Sequence, residues 1–485
     1  MTPGELFEDV DAGILTPDHK IWKLGMAKKV PARKVNGLFT EAQLSEKSPS
    51  SATPAQLEPL PPEAVPVPEE AHVGPGLGET GHGKSMCPCC WYRFNPEDAL
   101  FLASHPELIG DAVLGQYEPK RFLPTRFTPD GLALDEKGMR CTDLACPRCH
   151  MRLPSQVLTS TPFFVSIVGG PGSGKSHVMA AAIWNLRTLM PGMLDHSFMD
   201  ADATTNLWLN DYEAKLFFTS GEEAIGVIDK TDEATSHVYK RAHIEKMDIL
   251  LPNPCVFCFS PLTRPDSPKA LILYDNAGET FMPNQDTILR PATLHLVRSE
   301  GVVFLLDPIS DPRLRNLVLR NGHDIKGGVK PYRQDVLLVE MISRIRRHAG
   351  LANGELYDKP LVIGLSKADL FNGAFDMARS PLVQDPSSGG YSVDFELLRG
   401  MSAQVRSFLR QHTPEIVSTV ESFARQPIYM PISALGHNPL DQGTIIDGAR
   451  LTPRWTETPF LYFLAKSGHI PFLNQNNSVP AGSAS

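Results

Sequence analysis

The chain has 485 residues, of which 42% are hydrophobic, and a formal net charge of −9. That length accommodates two or three domains, the apolar share is ordinary for a globular protein, and the acidic balance argues against a chain built as a whole to grip nucleic acid. No run of about 18 apolar residues occurs, so no membrane-spanning helix is expected; Met1-Thr-Pro-Gly-Glu-Leu-Phe-Glu-Asp lacks the charged-then-apolar start of a secretory signal, and a cytoplasmic location is expected.

Residues 1–47 hold few apolar positions but a basic patch, Lys20, Lys23, Lys28, Lys29, Arg33 and Lys34, around Ile21, Trp22 and Leu24. This reads as a mostly disordered, solvated arm able to touch an anionic partner. From 48 to 83 the sequence is dominated by Pro, Glu, Ala, Ser and Gly and is expected to be an extended linker.

Six of the eight cysteines then fall between residues 87 and 149, which marks 84–155 as a separate zinc-ribbon-like module. Two CxxC knuckles, Cys87-Pro-Cys-Cys90 and Cys146-Pro-Arg-Cys149, can place four thiolates around one tetrahedral Zn²⁺. Cys87, Cys90, Cys146 and Cys149 are the preferred ligands, with Cys89, Cys141 and His150 as substitutes. A closed four-sulfur site is structural, because no coordination position stays open for substrate. Acids outnumber Lys120, Arg121 and Arg126 between the knuckles, so nucleic acid is an unlikely partner and a module docked on its neighbour is expected.

Residues 156–473 read as one α/β domain. Phe163-Phe-Val-Ser-Ile-Val168 is a buried strand, and Gly169-Gly-Pro-Gly-Ser-Gly174-Lys175-Ser176 follows it and opens a helix over 177–190. This is GxxxxGKS in its strand–loop–helix setting, the loop that cradles nucleoside triphosphate phosphates. Its glycines let backbone N–H groups converge on phosphate oxygens, Lys175 reaches the β- and γ-phosphates, and Ser176 ligates Mg²⁺. A helix is expected over 203–218. The following stretch should hold a Mg²⁺-binding threonine, Thr231 or Thr235, and the sequence does not choose between them. Cys255 and Cys258, also CxxC, lie in an apolar run and read as strand residues.

A strand ending Leu271-Ile-Leu-Tyr-Asp275 delivers a carboxylate for Mg²⁺, and Gly278, three residues on, can bring its N–H to the γ-phosphate. A strand follows over 301–307, then an Arg-rich helix with Arg344, Arg346, Arg347 and His348. That helix, or Arg290, is a candidate source of a catalytic arginine. The strand Pro360–Leu365 runs into Ser366-Lys367-Ala368-Asp369, where Asp369 can accept two hydrogen bonds from guanine while the Lys367 stem lies along the base. After a helix over 393–411, another strand ends in Ser433-Ala434-Leu435, whose backbone N–H groups can meet the guanine O6. Residues 455–465 read as a closing amphipathic helix, and 474–485 as a disordered tail.

In this order the four motifs resemble the signature of the Ras-like (TRAFAC-class) P-loop GTPases, over roughly residues 162–470. The resemblance implies an α/β fold whose doubly wound sheet carries helices on both faces and nucleotide at the carboxyl ends of its strands. It also implies GTP or GDP with Mg²⁺, and hydrolysis of GTP to GDP and phosphate. Gly169, Gly170, Pro171, Gly172, Ser173, Gly174, Lys175, Ser176, His177 and Gly278 fall to the phosphates. Ser366, Lys367, Asp369, Ser433, Ala434 and Leu435 fall to the base. Ser176 and Asp275 fall to Mg²⁺, and Lys175 and Glu279 to catalysis.

Two departures matter. Ser366 replaces the usual Asn or Thr, where its hydroxyl is expected to tie the base loop to the phosphate loop. Glu279 replaces the usual glutamine, and a carboxylate there would repel the γ-phosphate and slow intrinsic hydrolysis. The cysteine knuckles ahead of Asp275-Asn-Ala-Gly-Glu, Ser366-Lys-Ala-Asp and the closing Pro459-Phe-Leu-Tyr-Phe-Leu-Ala465 resemble the bacterial double-GTPase group. That likeness implies a bacterial multi-protein system, some of which act in conflict or defence, and a partner that reads the switch loops, such as a second GTPase. Two other readings stay open: a P-loop ATPase, and a non-hydrolysing adaptor that holds nucleotide as a structural ligand.

Overall fold

The computed structural model of the chain describes residues 20–21, 30–31, 84–218, 239–245, 247–275, 294–323, 325, 331–352, 354–371, 373–437 and 450–473. Two compact units divide it, Met1–Glu70 and Ala71–Ser485. In the first, Lys20–Ile21 pairs antiparallel with Val30–Pro31, inside the arm expected to be mostly disordered. The linker over 48–83, Gly278, Glu279, Arg290, Thr231, Thr235 and the tail all lie outside the described residues.

The second unit is organised by a seven-stranded mixed sheet. In chain order its elements are β1 (Thr161–Gly169), α1 (Lys175–Met193), β2 (His196–Asp200), α2 (Leu207–Phe217), and a two-stranded hairpin of β3 (Tyr239–Ile244) and β4 (Met247–Pro252). Then come β5 (Cys255–Pro261), β6 (Lys269–Tyr274), α3 (Leu294–Arg298), β7 (Gly301–Leu306), α4 (Pro312–Arg320) and α5 (Gln334–Ala349). The last are β8 (Leu361–Leu365), α6 (Phe395–His412), α7 (Pro414–Phe423), β9 (Pro427–Pro431) and α8 (Thr458–Lys466).

The strand order is β2-β5-β6-β1-β7-β8-β9. The five strands from β6 to β9 run parallel, β5 is antiparallel to β6, and β2 is antiparallel to β5. The parallel strands are apolar and buried almost throughout, as strands covered on both faces must be. From β1 the chain crosses to the edge strand β2 and fills back inward through β5 and β6, then passes to the other side of β1 and builds outward through β7, β8 and β9. The carboxyl ends of β6, β1 and β7 therefore lie side by side at one edge of the sheet, where open α/β sheets bind ligands.

Three local expectations need correction. The closing helix is not amphipathic: in α8 every residue from Thr458 to Ala465 is buried and Lys466 alone is exposed. It is an interior helix, apolar all round, whose Phe463 ring lies where a Cβ on Gly301 would stand, 2.6 Å away. Arg344 of the Arg-rich helix α5 is 1% exposed and donates to Glu340 at 2.7 Å, so its charge is held inside the fold. Ser366 does not tie the base loop to the phosphate loop. Its hydroxyl donates to the Leu306 carbonyl at the end of β7, 3.2 Å away, because the parallel register sets Leu365 beside Leu306.

Candidate functional site

At the carboxyl end of β1 the chain turns through a glycine-rich loop. Gly172 and Gly174 have φ of +74° and +85°, a region that costs residues with a Cβ about 1 kcal/mol or more. Gly170 has a different reason to lack a side chain: a Cβ there would collide with the Tyr332 hydroxyl and crowd Leu337. Lys175, buried at the first turn of α1, reaches back to the Gly169 and Gly170 carbonyls, 3.0 Å each, and this curls the loop around its own ammonium.

Ser176 donates to Asp275 Oδ2 at 2.7 Å, which joins the start of α1 to the end of β6. The two groups assigned to Mg²⁺ thus face each other as hard oxygen donors, the chemistry that ion takes. His177 lies next along α1, with Nδ1 3.0 Å from the Tyr212 hydroxyl of α2. Burial, with help from the positive charge of Lys367, pushes its pKa down to about 4, so this imidazole is neutral near pH 7.

The base loop closes the other side of the crevice. Lys367 sits at φ +51°, left-handed for a side-chain-bearing residue, and its ammonium bridges the Gly172 carbonyl and Asp307 Oδ1, each at 2.9 Å. The lysine is therefore what links this loop to the phosphate loop. Asp307, fully buried, is itself framed by Gln334 of α5, whose side chain accepts from its N–H and donates to its carbonyl. Asp369 Oδ1 accepts the Ser433 hydroxyl at 2.5 Å, and Ser433 Oγ accepts the Gly436 N–H at 3.0 Å. The Ala368 N–H donates to the Ile432 carbonyl, so the loops after β8 and β9 are bonded twice. Ala434 and Leu435 lie half-buried just beyond Ser433.

Asp307 and Gln334 carry weight that the sequence reading did not give them. The available signal was the Asp that ends the apolar run Gly301–Leu306, the same pattern that singled out Asp275.

The second cluster lies at the cysteine knuckles. The sulfurs of Cys87, Cys90, Cys146 and Cys149 lie within 4.8 Å of one another, and all four residues are buried. The knuckles repeat one geometry. In each, the second residue past the first cysteine donates its N–H to that sulfur at 3.4 Å (Cys89 to Cys87, Arg148 to Cys146). In each, the residue after the second cysteine is left-handed, Trp91 at φ +55° and His150 at φ +58°.

Two of the three substitute ligands are occupied elsewhere. His150 Nδ1 lies 2.7 Å from Asp111 Oδ2, and Cys141 contacts Ser104 and Asp135. Burial pushes the Cys90 and Cys149 thiols up. It also opposes ionisation of Cys87, yet hydrogen bonds from Cys146 and Cys149 hold that thiol well below its ordinary range. Four convergent sulfurs with no oxygen among them suit a soft-ligand, tetrahedral ion such as Zn²⁺.

This segment shares its core with the β3–β4 hairpin: Ala242, Ile244, Ile249 and Leu251 pack in one cluster with the four cysteines, Phe94, Met151 and Leu153. No helix among the described residues is long and apolar enough to cross a membrane.

No protein-family model matches the chain, and no curated protein is similar to it. Among solved structures, the chain is similar to the GTPase-like domain of S. cerevisiae Ski7 bound to GDP and inorganic phosphate, with 15% identity and a TM-score of 0.29 over 67% of this chain and 53% of that one. It is also similar to sup35 complexed with GDP, with 12% identity and a TM-score of 0.19 over 61% of this chain and 42% of that one. A third likeness is to the SRb-GTP/SRX complex from Chaetomium thermophilum, with 14% identity and a TM-score of 0.22 over 58% of this chain and 94% of that one. The chain spans about half the length of the first of these structures.

Proposed function

We propose that this chain is a Mg²⁺-dependent guanine-nucleotide-binding protein and GTPase of the doubly wound P-loop kind, stiffened by a structural zinc. In this reading Lys175 and the loop 169–174 hold the phosphates, Ser176 and Asp275 hold Mg²⁺, and Asp369 reads guanine. Glu279, at the sequence position where the GTPase pattern has a glutamine, brings a charge that slows intrinsic turnover, and a partner reading the nucleotide state completes the switch. The resemblance of its motifs to the bacterial double-GTPase group makes a second GTPase our candidate for that partner.

One observation carries the reading: the Ser433 hydroxyl holds the Asp369 carboxylate at 2.5 Å, while Lys367, two residues earlier, bridges Gly172 and Asp307. An Asp that merely capped a helix would need neither tie. Together they set a carboxylate acceptor at a fixed distance from the phosphate loop, and a purine with adjacent N1–H and amine donors satisfies it. Adenine leaves that carboxylate unpaired.

The test is a titration of the purified protein with fluorescent GTP and ATP analogues in Mg²⁺, beside Asp369→Ala. Guanine preference is expected in the wild type, and a loss of GTP affinity of about 100-fold in the variant, as two hydrogen bonds to a charged group would give. Equal binding of both nucleotides, indifferent to Asp369, would sink the assignment. Tight binding without turnover, even with partners present, would leave a nucleotide-bound adaptor.

A further inference from the structure

Tyr274 is the last residue of β6, 1% exposed, and lies directly before Asp275. Its hydroxyl donates to the Pro88 carbonyl at 2.6 Å and accepts the Trp91 indole N–H at 3.2 Å. Both partners belong to the first cysteine knuckle. Trp91, fully buried, follows Cys90 directly. The ring of Tyr274 stacks on His295 at 4.9 Å, and His295 Nδ1 lies 2.7 Å from the Ser166 hydroxyl of β1, the strand that delivers the phosphate loop.

Side chains alternate along a strand. Tyr274 therefore points to the sheet face that packs Trp91 and Phe164, and the next residue, Asp275, meets Ser176 across the nucleotide crevice. One peptide unit separates a group fixed by the knuckle from the carboxylate assigned to Mg²⁺.

We propose that Tyr274 is a positioning residue that makes metal binding at the four cysteines and Mg²⁺–nucleotide binding at Asp275 mutually reinforcing. The proposal rests on the nucleotide and zinc readings above and adds the regulation of one site by the other. Without a metal cross-linking the knuckles, Pro88 and Trp91 lose their fixed places. The Tyr274 hydroxyl is then left buried and unpaired, or moves and takes Asp275 with it. Thermodynamic reciprocity requires the converse: a nucleotide complex that fixes Asp275 must tighten the cysteine site by the same factor.

The experiment measures zinc affinity by competition with a chromophoric zinc chelator, with and without Mg²⁺–GDP, in the full chain and in Tyr274→Phe. Phenylalanine keeps the ring and its stack on His295 but deletes the hydroxyl. Wild-type zinc affinity is expected to rise about fivefold or more with Mg²⁺–GDP, the lower end of ordinary inter-site coupling. In Tyr274→Phe each ligand should still bind while the ratio falls toward one. Loss of the ratio with retention of both sites is what a merely structural tyrosine would not produce.

If Tyr274→Phe does not fold, Trp91→Phe, which removes the indole donor together with part of the buried ring, is expected to show the same reduced ratio. A wild-type ratio of one with both ligands bound overturns the proposal and leaves the nucleotide and zinc readings standing. A ratio unchanged in a folded variant overturns it as well, since coupling would then run through the fold at large. A protein that takes up no zinc, or no guanine nucleotide, overturns the underlying reading and this proposal with it.

Discussion

Ser433 shows how much one hydroxyl can decide. It spans Asp369 and the Gly436 N–H and so fixes the loops after β8 and β9 against each other. Ser433→Ala leaves the backbone bond between Ala368 and Ile432 in place but frees the carboxylate. GTP binding is expected to weaken about tenfold, the worth of one hydrogen bond to a charged group, while ATP-analogue binding stays unchanged; equal losses for both nucleotides would mean that the loop itself had collapsed. The motif residues Lys175, Ser176, Lys367 and Asp369 were legible because each sits at a fixed offset from a strand end. Asp307 ends an apolar strand as Asp275 does and was legible by the same pattern; Gln334 was not, because its hold on Asp307 is a pairing between β7 and α5 that no local spacing records. Glu213 is a further case hidden from sequence. Burial on α2 pushes its carboxyl up to about 7, against the pull of Arg187, which donates to it at 3.2 Å. A folded pKa raised from 4.5 contributes stability that is fully present below about pH 4.5 and lost as pH rises through 7. His177 slopes the opposite way, since its neutral form is favoured as pH rises from about 4 to 6.5. The two trends mask each other in the wild type, so the difference between wild type and Glu213→Gln is the informative quantity. In urea unfolding from pH 4.5 to 8 that difference should change by about 3 kcal/mol in favour of the variant as pH rises; a flat difference would mean that Glu213 is ionised in the fold at all these pH values.

At the scale of elements, hydrophobic period explains what could be read and what could not. The strands β1, β6, β7, β8 and β9 are short apolar runs bounded by polar residues, and α1, α5 and α6 follow the expected stretches closely. The edge strand β2 and the hairpin of β3 and β4 carry mixed patterns, because each strand is paired or covered only in part. The closing helix misleads for a related reason: Thr456, Glu457 and Thr458 look like a solvated helix start, yet all three are buried, and Glu457 accepts from Asn185 of α1 at 2.8 Å. The fit of α8 to the sheet depends on the missing side chain at Gly301. Gly301→Ala would place a methyl 2.6 Å from the Phe463 ring, which has no room to retreat in a fully buried helix. A loss of roughly 1–3 kcal/mol in chemical denaturation is expected, as overpacking costs, with partial recovery when Phe463→Leu is combined with it. A neutral single substitution would show that α8 can slide.

The molecule as a whole raises the question of where the cysteine segment ends and the seven-stranded sheet with its helices begins. A docked module would bury its cysteines in a core of its own. Here the knuckles share a cluster with Ile244, Ile249 and Leu251 of the β3–β4 hairpin, Arg152 pairs with Asp202 ahead of α2, and Trp91 and Pro88 are hydrogen-bonded to Tyr274 of β6. These links attach the segment to the β3–β4 hairpin, to the stretch ahead of α2 and to the interior strand β6. Removing the metal should therefore not melt a separate piece. Without an ion between them, four buried cysteine sulfurs within 4.8 Å of one another must either stay protonated or repel as thiolates, and that penalty falls on the shared core. Calorimetry of the full chain with and without a zinc chelator, and of Cys146→Ser, is expected to show one unfolding transition displaced to lower temperature, by several degrees for each kcal/mol lost. Guanine-nucleotide binding should weaken in step. Two resolved transitions, with the later one unmoved by chelation, would mean that the cysteine segment folds on its own and that its contacts with β6 carry no energy. The shared hydrophobic cluster argues for the single transition, since deleting one side of a packed core exposes the apolar surface of the other.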